Sequence, residues 1–212
     1  MKKIGVIGNE NTNFGPWLDM VQAGLSELEI DLEVEAISIE SEDIKNWLES
    51  DFRTDFVGAI ICEPHKETIG LFVDEFSQSA TKVGAVNTLI NKKGTIVAAN
   101  TEAVAVLKSI LTALDPNEKN VVVIGDNALA RATVFACQSA GSKVFIASKD
   151  KRKKELFIEK FNILDWEDRF AIDEASIVVQ TNDFDIQSLE LENIQLGLDL
   201  VNDTLETPLT LL

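Results

Sequence analysis

The residues able to do chemistry are few and fall in a handful of places. The single histidine, His65, sits in Glu63-Pro64-His65-Lys66, beside a lysine whose ammonium can stabilise charge on an oxygen and donate a proton. Taken alone, a lysine after Pro-His at a strand end is a solvated surface charge. The stretches Val83 to Leu89 and Asn100-Thr101-Glu102 add amides, hydroxyls and one carboxylate. Asn87 and Thr88 there can bond a substrate, or merely cap a turn through nearby backbone. Further on, Gly125-Asp126-Asn127-Ala128-Leu129-Ala130-Arg131 follows an apolar run. A glycine turn opening a helix is where main-chain amides and the helix dipole meet phosphate. Lys149 to Lys154 is the only basic cluster, with five cations in six residues.

Composition removes several classes of function. The chain has 212 residues, 19 Lys and Arg against 36 Asp and Glu, and a formal net charge of −17. That field repels nucleic-acid phosphates and anionic membrane surfaces, so neither is an expected partner. No apolar run approaches the roughly 18 residues of a membrane span. The opening Met1-Lys2-Lys3-Ile4-Gly5-Val6-Ile7-Gly8 reads as a first strand rather than a leader, its apolar run being too short and without a small-residue cleavage site. Cys62 and Cys137 lie in apolar surroundings without metal-ligand spacing. They point to reduced thiols, a cytoplasmic location and no metal site.

The elements that must position these residues alternate between strand-like runs and helical periodicity, the pattern of an α/β fold around parallel sheets. Strands are expected at Lys3 to Gly8, Leu32 to Ile39, Val57 to Cys62, Val121 to Ile124, Lys143 to Ala147, Ile177 to Gln180 and Leu196 to Val201. Helices are expected at Trp17 to Leu28, Glu42 to Leu48 with Ser41 as its cap, Glu67 to Phe76, Thr101 to Leu114, Ala128 to Ala140 closed by Gly141, and Asp150 to Phe161. The polar stretch Asp115 to Asn120 reads as a linker, dividing the chain into domains at 1–114 and 115–212.

The segments Glu63-Pro64-His65-Lys66, Val83-Gly84-Ala85-Val86-Asn87-Thr88-Leu89, Gly94 and Asn100-Thr101-Glu102 together resemble the core of the shikimate dehydrogenases. That family carries N-V-T-x-P-H-K, I-G-A-V-N-T and N-T-D in this order and at similar spacing. Asp199-Leu200-Val201 and Glu206-Thr207-Pro208-Leu209 resemble its D-L-V-Y-N-P-x-x-T-P-L, so the likeness runs over nearly the whole chain. It implies an N-terminal substrate-binding domain, a Rossmann-type doubly wound parallel-sheet domain for NADP, and reversible reduction of 3-dehydroshikimate to shikimate. Lys66 matches the family's catalytic lysine, and Glu102 stands where the family has its catalytic aspartate. Asn87 and Thr88 match substrate positions. His65 is then scaffold beside the chemistry. For the cofactor the resemblance points to Gly125, Asn127, Ala128, Arg131, Ser148, Lys149, Arg152 and Thr181.

Five departures qualify that picture. Asn13-Phe14-Gly15-Pro16 replaces the family's Ser-x-Ser-Pro, leaving Asn13 and nearby main-chain amides for the substrate carboxylate. Gly125-Asp126-Asn127 replaces G-A-G, putting a side chain where glycine admits the pyrophosphate and a negative charge beside it. Ser148-Lys149-Asp150 replaces N-R-T, although the cations behind it suit an adenosine 2′-phosphate. Asn182-Asp183-Phe184-Asp185 replaces the Pro-x-Gly-Met loop at the nicotinamide. Finally, Asn202 replaces a tyrosine, and the sequence ends at Leu212, where the family continues with helices that return to the first domain.

Two functions fit. One is an impaired shikimate or quinate dehydrogenase. The other is a non-enzymatic relative without cofactor that binds a ligand or partner. Missing covering helices would also leave apolar surface for a homodimer.

Overall fold

A computed structural model of the chain describes residues 2–168, 175–182, 184, 189, 191 and 193–201. Two compact units divide it, Met1–Thr101 and Glu102–Leu212. The division falls ahead of the 114/115 linker expected from composition, because the helix before that linker belongs to the second unit.

In the first unit β1 (Lys3–Gly8), β2 (Glu33–Ser38) and β3 (Phe56–Ile61) run parallel. The hairpin β5 (Thr88–Lys92) and β6 (Thr95–Ala99) adds antiparallel to β3, and the short β4 (Glu75–Phe76) pairs parallel with β6. The strand order is β2-β1-β3-β5-β6-β4. Helix α1 (Gly15–Glu27) crosses from β1 to β2. Between β2 and β3 run α2 (Ile44–Trp47), a π turn at Leu48–Phe52 and α3 (Arg53–Asp55). Ile7, Ile44, Leu48, Phe52, Phe56, Ile61 and Leu89 are buried together, with Trp47 and Phe52 set against Phe56.

Two expectations fail here. No helix spans Glu67 to Phe76. Two 3-10 turns, His65–Glu67 and Ile69–Phe72, lead instead into β4. Tertiary bonds override the helical pattern, since Asp74 is held by Arg53 and by the Ile96 amide at 2.7 Å. Ser41 does not cap α2, whose cap position is Asp43 without a side-chain bond. The Ser41 hydroxyl instead faces His65 Nδ1 at 3.5 Å.

The hairpin and α4 (Gln78–Val83) carry no strong apolar period and come from the structure alone. Lys93 and Gly94, at φ 56° and 95°, form the tip, a left-handed pair that fits the twist of a tight hairpin. Asn91 fastens it. Its amide nitrogen lies 2.9 to 3.0 Å from the carbonyls of Phe52, Arg53 and Phe56, and its oxygen accepts from Gly94 N at 2.7 Å.

The second unit holds a five-stranded parallel sheet of order β11-β10-β7-β8-β9. It comprises β7 (Asn120–Ile124), β8 (Lys143–Ala147), β9 (Leu164–Asp165), β10 (Ile177–Gln180) and β11 (Leu196–Asp199). Helices α5 (Glu102–Leu111), α6 (Ala128–Ser139) and α7 (Lys151–Phe161) accompany it. The first strand sits mid-sheet with neighbours on both sides, the doubly wound arrangement. Val122, Ile124, Phe145, Val178 and Trp166 form its core. Gly141, at φ 85°, closes α6 as expected. Glu206 to Leu209 and Asn202 lie outside the described residues.

Candidate functional site

Strand direction gathers the first unit's polar residues. β1 and β3 are parallel and end at Gly8 and Ile61, so the loops carrying Asn13 and His65-Lys66 leave from one edge of the sheet. β5 runs the other way, with Ile60 opposite Thr88, and Thr88 pairs with Ala99 at the end of β6. Asn87, Thr88 and Thr101 therefore join the same edge. This is where ligands collect in α/β sheets.

The loops bind one another there. Ile61 N donates to Asn87 O at 2.9 Å, and Val86 N donates to Lys66 O at 2.7 Å. The Thr12 hydroxyl approaches the Glu63 carbonyl at 3.4 Å. His65 is fully buried, and Nε2 donates to Ile39 O at 3.0 Å, which anchors the turn to the end of β2. It is scaffold, as expected. Lys66 is itself 7% exposed, so the solvated-charge reading does not hold.

Asn87 organises the hydroxyls. Its oxygen accepts from Thr101 N at 2.9 Å and from the Thr88 hydroxyl at 3.1 Å, while its nitrogen donates to Thr101 Oγ1 at 2.9 Å. The Thr88 and Thr101 hydroxyls are 3.5 Å apart. Thr101 is a member the sequence reading passed over, although it sits inside the Asn-Thr-Glu segment. Asn100, 2% exposed, works inward instead and donates to Ala85 O at 3.2 Å. Asn13 is exposed just before α1, which starts without a side-chain cap. A cavity of about 310 Å³ also touches Lys66. It opens on Leu71, Phe76 and Val86 rather than on Asn87 or Thr88, so it is distinct from this polar cluster.

In the second unit, Glu102 opens α5 and is half-buried. The turn after β7 has the outline of a dinucleotide loop. Gly125, at φ 130°, leads into α6, and a side chain there would collide with Thr181 Oγ1. Thr181 is buried, and its hydroxyl donates to Ile124 O at 2.9 Å.

The loop's polar groups are bonded within the unit. Asn127 Oδ1 accepts from Ala130 N at 2.9 Å, and its Nδ2 donates to Thr181 O at 2.8 Å. It thus caps α6 where a pyrophosphate would bond. Ala128 is buried, and Arg131 lies 5.2 Å from the Phe157 ring, turned toward α7.

Beyond β8, Ser148 is 7% exposed and donates to Asp126 Oδ2 at 2.5 Å. Lys153 meets the other carboxylate oxygen at 3.2 Å. Lys149 lies 5.4 Å from the Phe184 ring, and Arg152 is exposed. Lys154 is buried on Asp165 at 2.7 Å; burial opposes its charge, and the Asp165 and Glu167 carboxylates outweigh it and raise its pKa. The basic run is therefore not one solvated face. Both cysteines are buried, and burial pushes the Cys137 thiol up to about 12.

A dinucleotide fits the turn and the cations after β8, but it must displace Asn127 and Asp126. No group of acidic, histidine or cysteine side chains among the described residues could hold a metal. No helix among them is long and apolar enough to cross a membrane.

Residues 17–89 match the shikimate dehydrogenase substrate binding domain. Over 198 residues the chain is 29% identical to the shikimate dehydrogenase (NADP(+)) of Maridesulfovibrio salexigens, covering 88% of this chain and 72% of that one. Its likeness to the Aquifex aeolicus shikimate dehydrogenase (NADP(+)) is 27% over 160 residues, 74% of this chain and 59% of the relative. The fold is shared with a Thermus thermophilus shikimate 5-dehydrogenase solved in complex with shikimate. That match has a TM-score of 0.82 and 22% identity, and covers 100% of this chain and 82% of that one.

Proposed function

Because the chain belongs to the shikimate dehydrogenase family, we propose that it reduces 3-dehydroshikimate to shikimate, or a related cyclic hydroxy acid, reversibly and with NADP, at reduced efficiency. One observation carries this reading. Lys66 is buried in the first unit with its main chain bonded to Val86, next to the Asn87, Thr88 and Thr101 cluster.

Each residue takes a definite task. The Lys66 ammonium bonds the substrate's carbonyl oxygen, stabilises the charge that develops there and passes it a proton. Glu102, at the position of the family's catalytic aspartate, takes the role of the carboxylate that accepts from a ring hydroxyl. Its extra methylene over aspartate shifts the carboxylate, and a misplacement of about 1 Å can cost roughly 100-fold. Asn87, Thr88 and Thr101 exchange bonds among themselves for bonds to ring hydroxyls. Asn13 meets the substrate carboxylate. When bound, the nicotinamide supplies a hydride to the substrate carbon. Gly125, Ala128, Lys149, Arg152 and Thr181 would hold the dinucleotide, with Asn127 as the obstacle to its pyrophosphate.

The self-capped turn at Asn127 also favours a second reading, a cofactor-free ligand-binding relative. Steady-state assays with shikimate and quinate, each with NADP and NAD, decide between the two. Turnover above background establishes the dehydrogenase, whereas calorimetric shikimate binding without turnover by any pair establishes the second reading. We place the protein in the cytoplasm. We also propose a homodimer through the first unit, where Leu71 is 79% and Phe76 51% exposed. Light scattering that shows a monomer at micromolar concentration would refute it.

A further inference from the structure

We infer that Asp126 is a resident anion seated on the donors for the adenosine 2′-phosphate, and that it lowers, without abolishing, the chain's affinity for phosphorylated dinucleotides. The inference deepens the dinucleotide reading of the second unit and rests on it.

In a doubly wound sheet the adenosine ribose lies beyond the end of the second strand, where an acid selects a free 2′-hydroxyl and cations accept a 2′-phosphate. That strand is β8, and Ser148 is the first residue past it. Ser148 is nearly buried and its hydroxyl already donates to Asp126 at 2.5 Å. The length is that of a strong hydroxyl–carboxylate bond. Lys153 approaches the second oxygen of the same carboxylate at 3.2 Å. The two oxygens therefore take one hydroxyl and one ammonium, as two oxygens of a phosphate would.

The carboxylate is sheltered, with its side chain 14% exposed, whereas the Lys153 side chain is 55% exposed. Water screens such a carboxylate poorly against a phosphate arriving nearby. A 2′-phosphate must therefore displace the carboxylate from Ser148 or share Lys153 with it. A dinucleotide with a free 2′-hydroxyl brings no such charge and can donate to the carboxylate instead. The basic run is thus a weaker site for a 2′-phosphate than its charge alone implies, in keeping with the reduced efficiency proposed above.

The test uses adenosine fragments, so that it needs no turnover. Calorimetry compares 2′,5′-ADP with 5′-AMP on the full chain and on Asp126→Asn, which keeps size and one acceptor while removing the charge. The affinity for 2′,5′-ADP should rise tenfold or more, and that for 5′-AMP should change less than twofold. Lys153→Met added to Asp126→Asn should remove most of the gain.

Equal gains for both probes would place the effect of Asp126 on the shared 5′-phosphate and overturn the inference. No gain for 2′,5′-ADP, or no binding of either probe to either protein, would overturn it too. Thermal melting confirms that each variant is folded, and Asp126→Ser replaces Asp126→Asn if that variant is not. Shikimate titration of the same samples keeps the outcomes separate. Its failure would count against the proposed substrate and leave the comparison of the two adenosine probes standing.

Discussion

One asparagine stands at the strand ends of each sheet, and the two spend their hydrogen bonds differently. Asn87 holds the hydroxyls of Thr88 and Thr101, groups that rotate and can exchange partners when a polyol arrives. Asn127 instead bonds the Ala130 amide and the Thr181 carbonyl, and the amide is one that a pyrophosphate would need. The first edge keeps exchangeable hydroxyls among its partners, and the second spends its side-chain bonds on main chain. Residue type alone does not separate these states; the partner does.

The sharpest way to break this contrast is to remove one cation from each edge. Lys66→Met should lower turnover by about 10²- to 10⁴-fold, as expected for loss of a proton donor, with little change in the Michaelis constant for shikimate. Lys149→Met should leave turnover at saturation nearly unchanged and weaken the dinucleotide by less than roughly tenfold, as for an exposed phosphate contact. Equal effects of the two in steady-state kinetics would erase the distinction.

Stability should separate Asn127 from a third asparagine, the one that fastens the hairpin. Asn91→Ala strips partners from three main-chain carbonyls and one amide, which should cost about 2 to 4 kcal/mol in urea unfolding. Asn127→Gly removes a cap, and glycine is itself an acceptable one, so the cost should be a few tenths of a kcal/mol. A dinucleotide titration should meanwhile show tighter binding by roughly fivefold, because main-chain amides become reachable.

The smallest effect concerns acid. The Arg53 guanidinium, then the Ile96 amide, hold the Asp74 carboxyl down to about 2 from 3.8. A depressed carboxyl contributes stability that is present above the unfolded value and lost as pH falls through the folded one. Melting of the parent should therefore decline across that window, and Asp74→Asn should flatten the decline. An unchanged slope would show that Asp74 does not couple the hairpin to acid.

Much of this was legible before folding. The β-branched runs of β7 and β10 and the short apolar run of β1 mark strands by composition alone. The hairpin was not legible, because Asn91, Lys92, Lys93 and Gly94 look like loop and its stabilising bonds reach back to residues 52–56. The helix expected at Glu67 to Phe76 fails for the same reason, since its Asp74 is claimed from distant parts of the chain. Lys66, Asn87 and Thr88 stood out through their shared pattern. The Asp126 pairs with Ser148 and Lys153 span 22 and 27 positions, and no local pattern announces contacts made only where the turn after β7 meets the residues that follow β8.

The β5–β6 hairpin separates two kinds of demand. Its tip is stitched down by Asn91, Arg53 and Asp74, and its open end carries Asn87 and Thr88, with Thr101 just beyond. Selection for a new ring substrate can act at 87, 88 and 101 while the residues that hold the hairpin are left alone. Drift at the open end then does not push the protein toward its stability threshold. A library randomised at 87, 88 and 101 should stay mostly folded, and one randomised at 53, 74 and 91 should not. If the two lose folded members equally, binding and folding are not separable along this hairpin, and a new specificity would have to evolve against the stability of the frame that carries it.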